Sequence, residues 1–131
     1  MPRALVVKVT AGADDAERCN QGFTVAATAV ASGAEVSLWL TGEAAWFGVP
    51  GRAEEFSLPH AQPLSDLLAT VLGGGRVTVC SQCAARRDVG AVLAGSGWAT
   101  VRIQTRDSRL RHAVPAARAE GCAPPMSRAS D

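Results

Sequence analysis

The sequence predicts an α/β fold, a flavodoxin-like, mostly parallel sheet with helices on both faces. Three observations carry the α/β prediction. Short Val-rich runs alternate with longer segments of helical apolar spacing, in the order βαβ, loop, αβ. The first run, Ala4 to Thr10, is nearly all apolar and reads as a strand buried on both faces. The chain is 131 residues long with 47% hydrophobic and 19% charged residues, which suits one globular domain with a real core.

The elements follow in order. After Ala11-Gly12, Asp14 is placed as an N-cap, with Glu17 three residues on to complete a capping box. Ala16, Cys19, Phe23, Ala26, Ala27 and Val30 form the apolar stripe of the first helix, and Gly33 ends it. Glu35 to Leu40 is a second strand, with Val36, Leu38 and Leu40 on one face and Trp39 on the other. Ala44 to Phe47 reads as a short helical turn, with Trp46 and Phe47 as core or interface residues. Gly48 to Pro63 reads as a long surface loop. Pro63 opens a third helix with Leu64, Leu67, Leu68, Val71 and Leu72 on its buried side. Gly73-Gly74-Gly75 then releases the chain into a strand over Arg76 to Cys80.

The C-terminal part differs in character. Residues 1–88 carry seven Lys/Arg and nine Asp/Glu, whereas residues 89–131 carry six Arg and three acidic residues. Trp98 to Gln104 reads as a strand. Residues 107–131 are rich in Arg, Ala, Pro and Ser without an apolar period, and read as a disordered tail behind a domain spanning 1–106.

Several function classes are excluded on composition. Net charge is +1 and aromatics are 5%, with no tyrosine, so neither a basic field nor stacking material favours nucleic acid. The longest apolar runs fall short of a membrane span. The stretch after Arg3 is too short for a signal peptide, so the expectation is a cytoplasmic protein. Gly73-Gly74-Gly75 precedes a strand instead of joining strand to helix, so it is not a phosphate loop, and no dinucleotide signature is present. No cofactor is expected.

The chemistry concentrates at Cys80-Ser81-Gln82-Cys83, at the end of the third strand, with Arg86 and Arg87 following. In open α/β sheets, ligands and chemistry gather at the carboxyl ends of strands. A cysteine there, opening a helix with cationic residues near, favours the thiolate, which is the nucleophile. Cys83 lies one helical turn on, within reach to resolve a sulfur adduct. In a reducing compartment the four cysteines are expected as reactive thiols or metal ligands rather than a disulfide framework. Zinc needs two further ligands, and His60, His112, Cys19 and Cys122 do not supply zinc-finger spacing. Cys19 falls on the first helix's apolar stripe, and Cys122 lies in the tail. His60, in the long loop, is a candidate base, against the plainer reading of a solvated loop histidine.

The run Val77 to Arg87 resembles the cysteine motif of the DsrE/DsrF-like sulfur-relay family: a hydrophobic strand, Cys-x-x-Cys, then an arginine. Cys80 matches the reactive cysteine, Cys83 the second cysteine and Arg87 the arginine, while Asp88 stands where the family has glycine. The resemblance extends over about two-thirds of the chain. It implies a flavodoxin-like sandwich, assembly into homotrimers or hexamers, and sulfane sulfur carried as a persulfide on Cys80 between donor and acceptor proteins. In this reading Arg87 stabilises the thiolate or persulfide and Cys83 resolves it. Whether such a protein acts as a sulfurtransferase or only as a carrier stays open. The competing reading is a non-catalytic oligomeric binding or adaptor domain with structural cysteines.

Overall fold

The computed structural model describes residues 3–90, 92 and 101–104, the last four by their backbone. The proposed tail, 107–131, lies outside the described residues. The elements are β1 (Ala4–Val9), α1 (Ala16–Ala31), β2 (Glu35–Leu40), a 3₁₀ turn (Gly42–Gly48), α2 (Arg52–Glu55), α3 (Leu64–Gly74), β3 (Arg76–Cys80), α4 (Ser81–Arg86) and β4 (Val101–Gln104). All strand pairs are parallel, and the sheet order is β1-β2-β3-β4.

The α/β class and parallel sheet agree with the sequence. The order of the strands adds something new. A doubly wound sheet reverses direction at a switch point; here each described strand pairs with the next one in sequence. Right-handed crossovers that step the same way put their helices on the same side. Accordingly α1 and α3 pack together over one face, burying Phe23, Ala26, Leu67 and Val71 against Val36, Leu38, Leu40, Val77 and Val79.

β1 departs from its expected burial. It stands at the edge of the described sheet, and of its six residues only Val9 is buried. A Val-rich run signals a strand but does not say how many neighbours it has. Trp39 lies on the face opposite Leu38 and Leu40, as the alternation predicts. It is buried, and its indole N–H has no hydrogen-bond partner among the described residues.

The helix ends show where local chemistry decides. The N-cap of α1 is Asp15, which accepts the Arg18 N–H at 3.3 Å. Asp14, the expected cap, instead accepts the Gly12 N–H at 2.7 Å, because a 3₁₀ turn over Ala13–Asp15 shifts the start by one residue. At the far end, Gly33 at φ +86 closes a Schellman motif: its N–H bonds to Val30 O and the Ala34 N–H to Ala29 O, both at 3.0 Å. Asn20, a polar residue inside the α1 stripe, is buried and donates to Gln62 O at 3.1 Å, tying the helix to the loop ahead of α3. The glycine run does not break α3 early. Gly75 N–H still reaches Val71 O at 2.7 Å, so the ladder continues to the last glycine.

The segment from Gly48 to Pro63 is not wholly loop. It holds α2, which buries Ala53, and Phe56, which packs on Phe47. Phe47 is core, seated edge-on between Phe23 at 6.0 Å and Phe56 at 5.6 Å between ring centroids. Trp46 is half-buried under Arg52, whose guanidinium carbon sits 4.6 Å from the ring centroid. No described helix is long and apolar enough to cross a membrane.

Candidate functional site

Three strands deliver their carboxyl ends to one place. At the end of β1, the Thr41 N–H and hydroxyl both donate to Val9 O, at 2.9 and 3.1 Å, binding the start of the 3₁₀ turn to the first strand. The two loops then interlock through their backbones. A Cβ on Gly12 would lie 2.8 Å from Glu43 O, and one on Gly42, at φ +53, would lie 2.7 Å from Thr10 O. Neither position has room for a side chain, so glycine is required at both.

β3 ends beside this frame. Val77 and Val79 point into the core, and the strand terminates at Cys80, whose extended backbone (φ −65°, ψ 121°) caps α4. Cys80 and Cys83 are both buried, at 6% and 4% exposure. Cys80 is disulfide-bonded in this structure. This departs from the expected thiol, and the chemistry considered below belongs to the reduced protein. α4 has only six residues, and Cys80 makes no side-chain capping bond to it.

The two arginines do different things. Arg86 Nη1 lies 4.0 Å from Cys83 Sγ. Arg87 donates from Nη1 to Cys83 O at 3.1 Å, and from Nε and Nη2 to Glu43 Oε1 at 3.1 and 2.8 Å. Its side chain is 19% exposed and that of Glu43 is 42%. Arg87 thus fastens the cysteine turn to the β2 loop. Arg86, by contrast, turns its guanidinium toward a sulfur, that of Cys83. Of the residues singled out from the sequence, Cys80 stands at the start of α4 and Arg87 at its end, where it reaches the Cys83 carbonyl.

Glu43 was invisible to the sequence reading, since no motif surrounds it. The usable signal was positional: an acidic residue just past the end of β2, at the end of the sheet where sites gather. His60 lies in an exposed turn ahead of α3, at φ +59. Cys19 is fully buried, and desolvation, with Asp14 and Asp15 adding to it, pushes its thiol up to about 12. That makes it a neutral core residue, as its place on the stripe suggested. Among the described residues no cluster of three His, Cys, Asp or Glu could hold a metal ion.

The end of α4 repeats the α1 closure with a different residue. Asp88 N–H bonds to Ala85 O at 3.1 Å and Val89 N–H to Ala84 O at 3.0 Å, with Asp88 at φ +56. Val89 is buried, completing the motif. Asp88 therefore keeps the turn that glycine would make, at a steric cost glycine avoids. Asp88→Gly is expected to stabilise the protein by about 0.5–1 kcal/mol, seen as a higher urea midpoint at unchanged slope. A lower midpoint would show that the Asp88 carboxylate, and not the backbone turn, is what matters there.

A family model described as the DsrE/DsrF-like family matches residues 3–105. No curated protein and no solved structure matches the chain significantly.

Proposed function

Since the chain belongs to the DsrE/DsrF-like family, which is associated with sulfur relay, we propose that it carries sulfane sulfur as a persulfide on reduced Cys80. The observation that supports this is the placement of Cys80 and Cys83 across the first turn after β3, beside the interlocked β1 and β2 loops. The Cys80 thiolate attacks the outer sulfur of a persulfide donor. The donor S–S bond breaks, and the donor leaves as a thiolate. An acceptor thiolate then takes the same outer sulfur and regenerates the Cys80 thiolate. No external oxidant is consumed. Alternatively Cys83 attacks the inner sulfur, closing a Cys80–Cys83 disulfide and expelling hydrosulfide. The cytoplasm, where thiols are kept reduced, suits this chemistry. Intact mass after incubation of the reduced protein with a low-molecular-weight persulfide tests the reading. A gain of one sulfur supports it, and no gain sinks it.

The burial of both cysteines favours a second reading, a non-catalytic binding or adaptor domain with structural cysteines. Graded-pH alkylation of the reduced protein separates the two. A carrier Cys80 labels quickly below pH 7, and a structural one does not.

We extend the proposal to assembly as a homotrimer or hexamer. It rests on family membership, because Phe47, one of the two residues that suggested an interface, is buried in its own core. Light scattering at micromolar concentration is expected to give a multiple of the 13.5 kDa chain. A monomer would count against assembly.

A further inference from the structure

The sequence put two arginines beside two cysteines and left their roles alike. The structure separates them through Glu43. Both Arg87 donors on Glu43 converge on a single oxygen, Oε1, and the third donates to the carbonyl of Cys83. The Glu43 backbone is itself wedged against Gly12, so the carboxylate starts from a fixed base. A continuous path of contacts runs from the β1 loop through Glu43 and Arg87 to the backbone of Cys83.

We propose that Glu43 is a positioning residue of the cysteine site: it aims Arg87 at the Cys83 carbonyl and cancels its charge, leaving Arg86 to set the charge felt at the Cys83 sulfur. The proposal rests on the sulfur-relay reading only in treating Cys83 as the resolving thiol. Its consequence is a division of labour. A carboxylate–guanidinium pair is nearly neutral at a distance, so Arg87 holds the turn while adding little net charge beside Cys83. Arg86 is the remaining cation of the turn, with Nη1 at 4.0 Å from the sulfur. The other charged or titratable groups on the elements packed here are Cys80 and Arg76 of β3, Asp88 after α4, and Asp14 and Asp15 of the β1 loop. Arg102 stands on β4, opposite Thr78. Asp14 is committed to the Gly12 N–H and Asp15 to Arg18.

The test is a charge cycle on the reduced full-length protein. Iodoacetamide labelling of Cys83 is followed across pH by site-resolved peptide mass spectrometry, each variant normalised to its own high-pH plateau. Normalisation removes changes in access and leaves the midpoint. Glu43→Gln takes away a negative charge and leaves Arg87 uncompensated, so the midpoint falls by roughly half a pH unit or more. Arg87→Ala takes away the positive charge and exposes Glu43, so the midpoint rises by a similar amount. The double variant returns close to the wild-type value. Arg87→Lys keeps the charge with fewer donors and holds the midpoint, and where Arg87→Ala does not fold, Arg87→Gln takes its place with the same expected rise. Opposite shifts in the two single variants carry the proposal. Shifts in the same direction, or unchanged midpoints with altered plateaus, overturn it and reduce the pair to a mechanical clamp. Sulfur uptake at Cys80 is measured separately, so loss of uptake with an intact charge cycle would sink the relay reading and leave Glu43 in its role.

Discussion

Cys80→Ser is expected to abolish the one-sulfur mass gain outright, while Cys83→Ser keeps it. The serine hydroxyl is not ionised near neutral pH and cannot attack a persulfide, so the effect is all or none. In the Cys83→Ser protein the persulfide should also last longer, because the thiol one turn away that could expel hydrosulfide is gone. Both variants are close in size to the wild type, which matters because both sites are buried. The measurement is intact mass with time after donor removal, on fully reduced protein. If Cys80→Ser still gains sulfur to the wild-type extent, the carrier assignment fails. If Cys83→Ser loses its persulfide as fast as wild type, Cys83 is no resolving thiol.

Phe47→Ala is expected to be the most costly single truncation outside the sheet. The ring is 5% exposed and stands between two others in edge-to-face contact. Removing a buried aromatic of this kind costs about 3–5 kcal/mol, part of it the lost ring pairs. A domain holds only about 5–15 kcal/mol in all, so the variant should be close to unfolding at room temperature. Urea denaturation reads the loss, and Phe47→Leu should recover much of it. A loss under about 1 kcal/mol would show that the 3₁₀ turn is not anchored by this ring.

Much of this was legible in the chain, and the failures have physical causes. β2, α1, α3 and β3 were found because an apolar period is a direct image of one buried face. The cysteine turn was found because the strand end, the Cys-x-x-Cys spacing and the basic residues are all local. The cap of α1 was missed by one residue, since Asp14 and Asp15 offer the same carboxylate and only the 3₁₀ turn chooses between them. α2 was missed because its four residues are too few to show a period. The roles of Arg86 and Arg87 were not separable, because Glu43 lies 44 residues from Arg87 and no local pattern joins them. The edge position of β1 is likewise a property of pairing between strands, absent from the strand's own residues.

The order β1-β2-β3 bears on how the molecule is built as well as on its shape. Each of these strands docks beside the one made just before it, and none must be threaded between two already in place. Every crossover is therefore a nearest-neighbour event in sequence, the kind of contact that costs least loop entropy and forms fastest. During synthesis β1 and β2, with α1 across them, can be complete before residue 76 exists. The Cys80–Cys83 turn then closes onto a frame that already holds Glu43 against Gly12, so the cysteine end of β3 is the last of these three strand ends to be assembled.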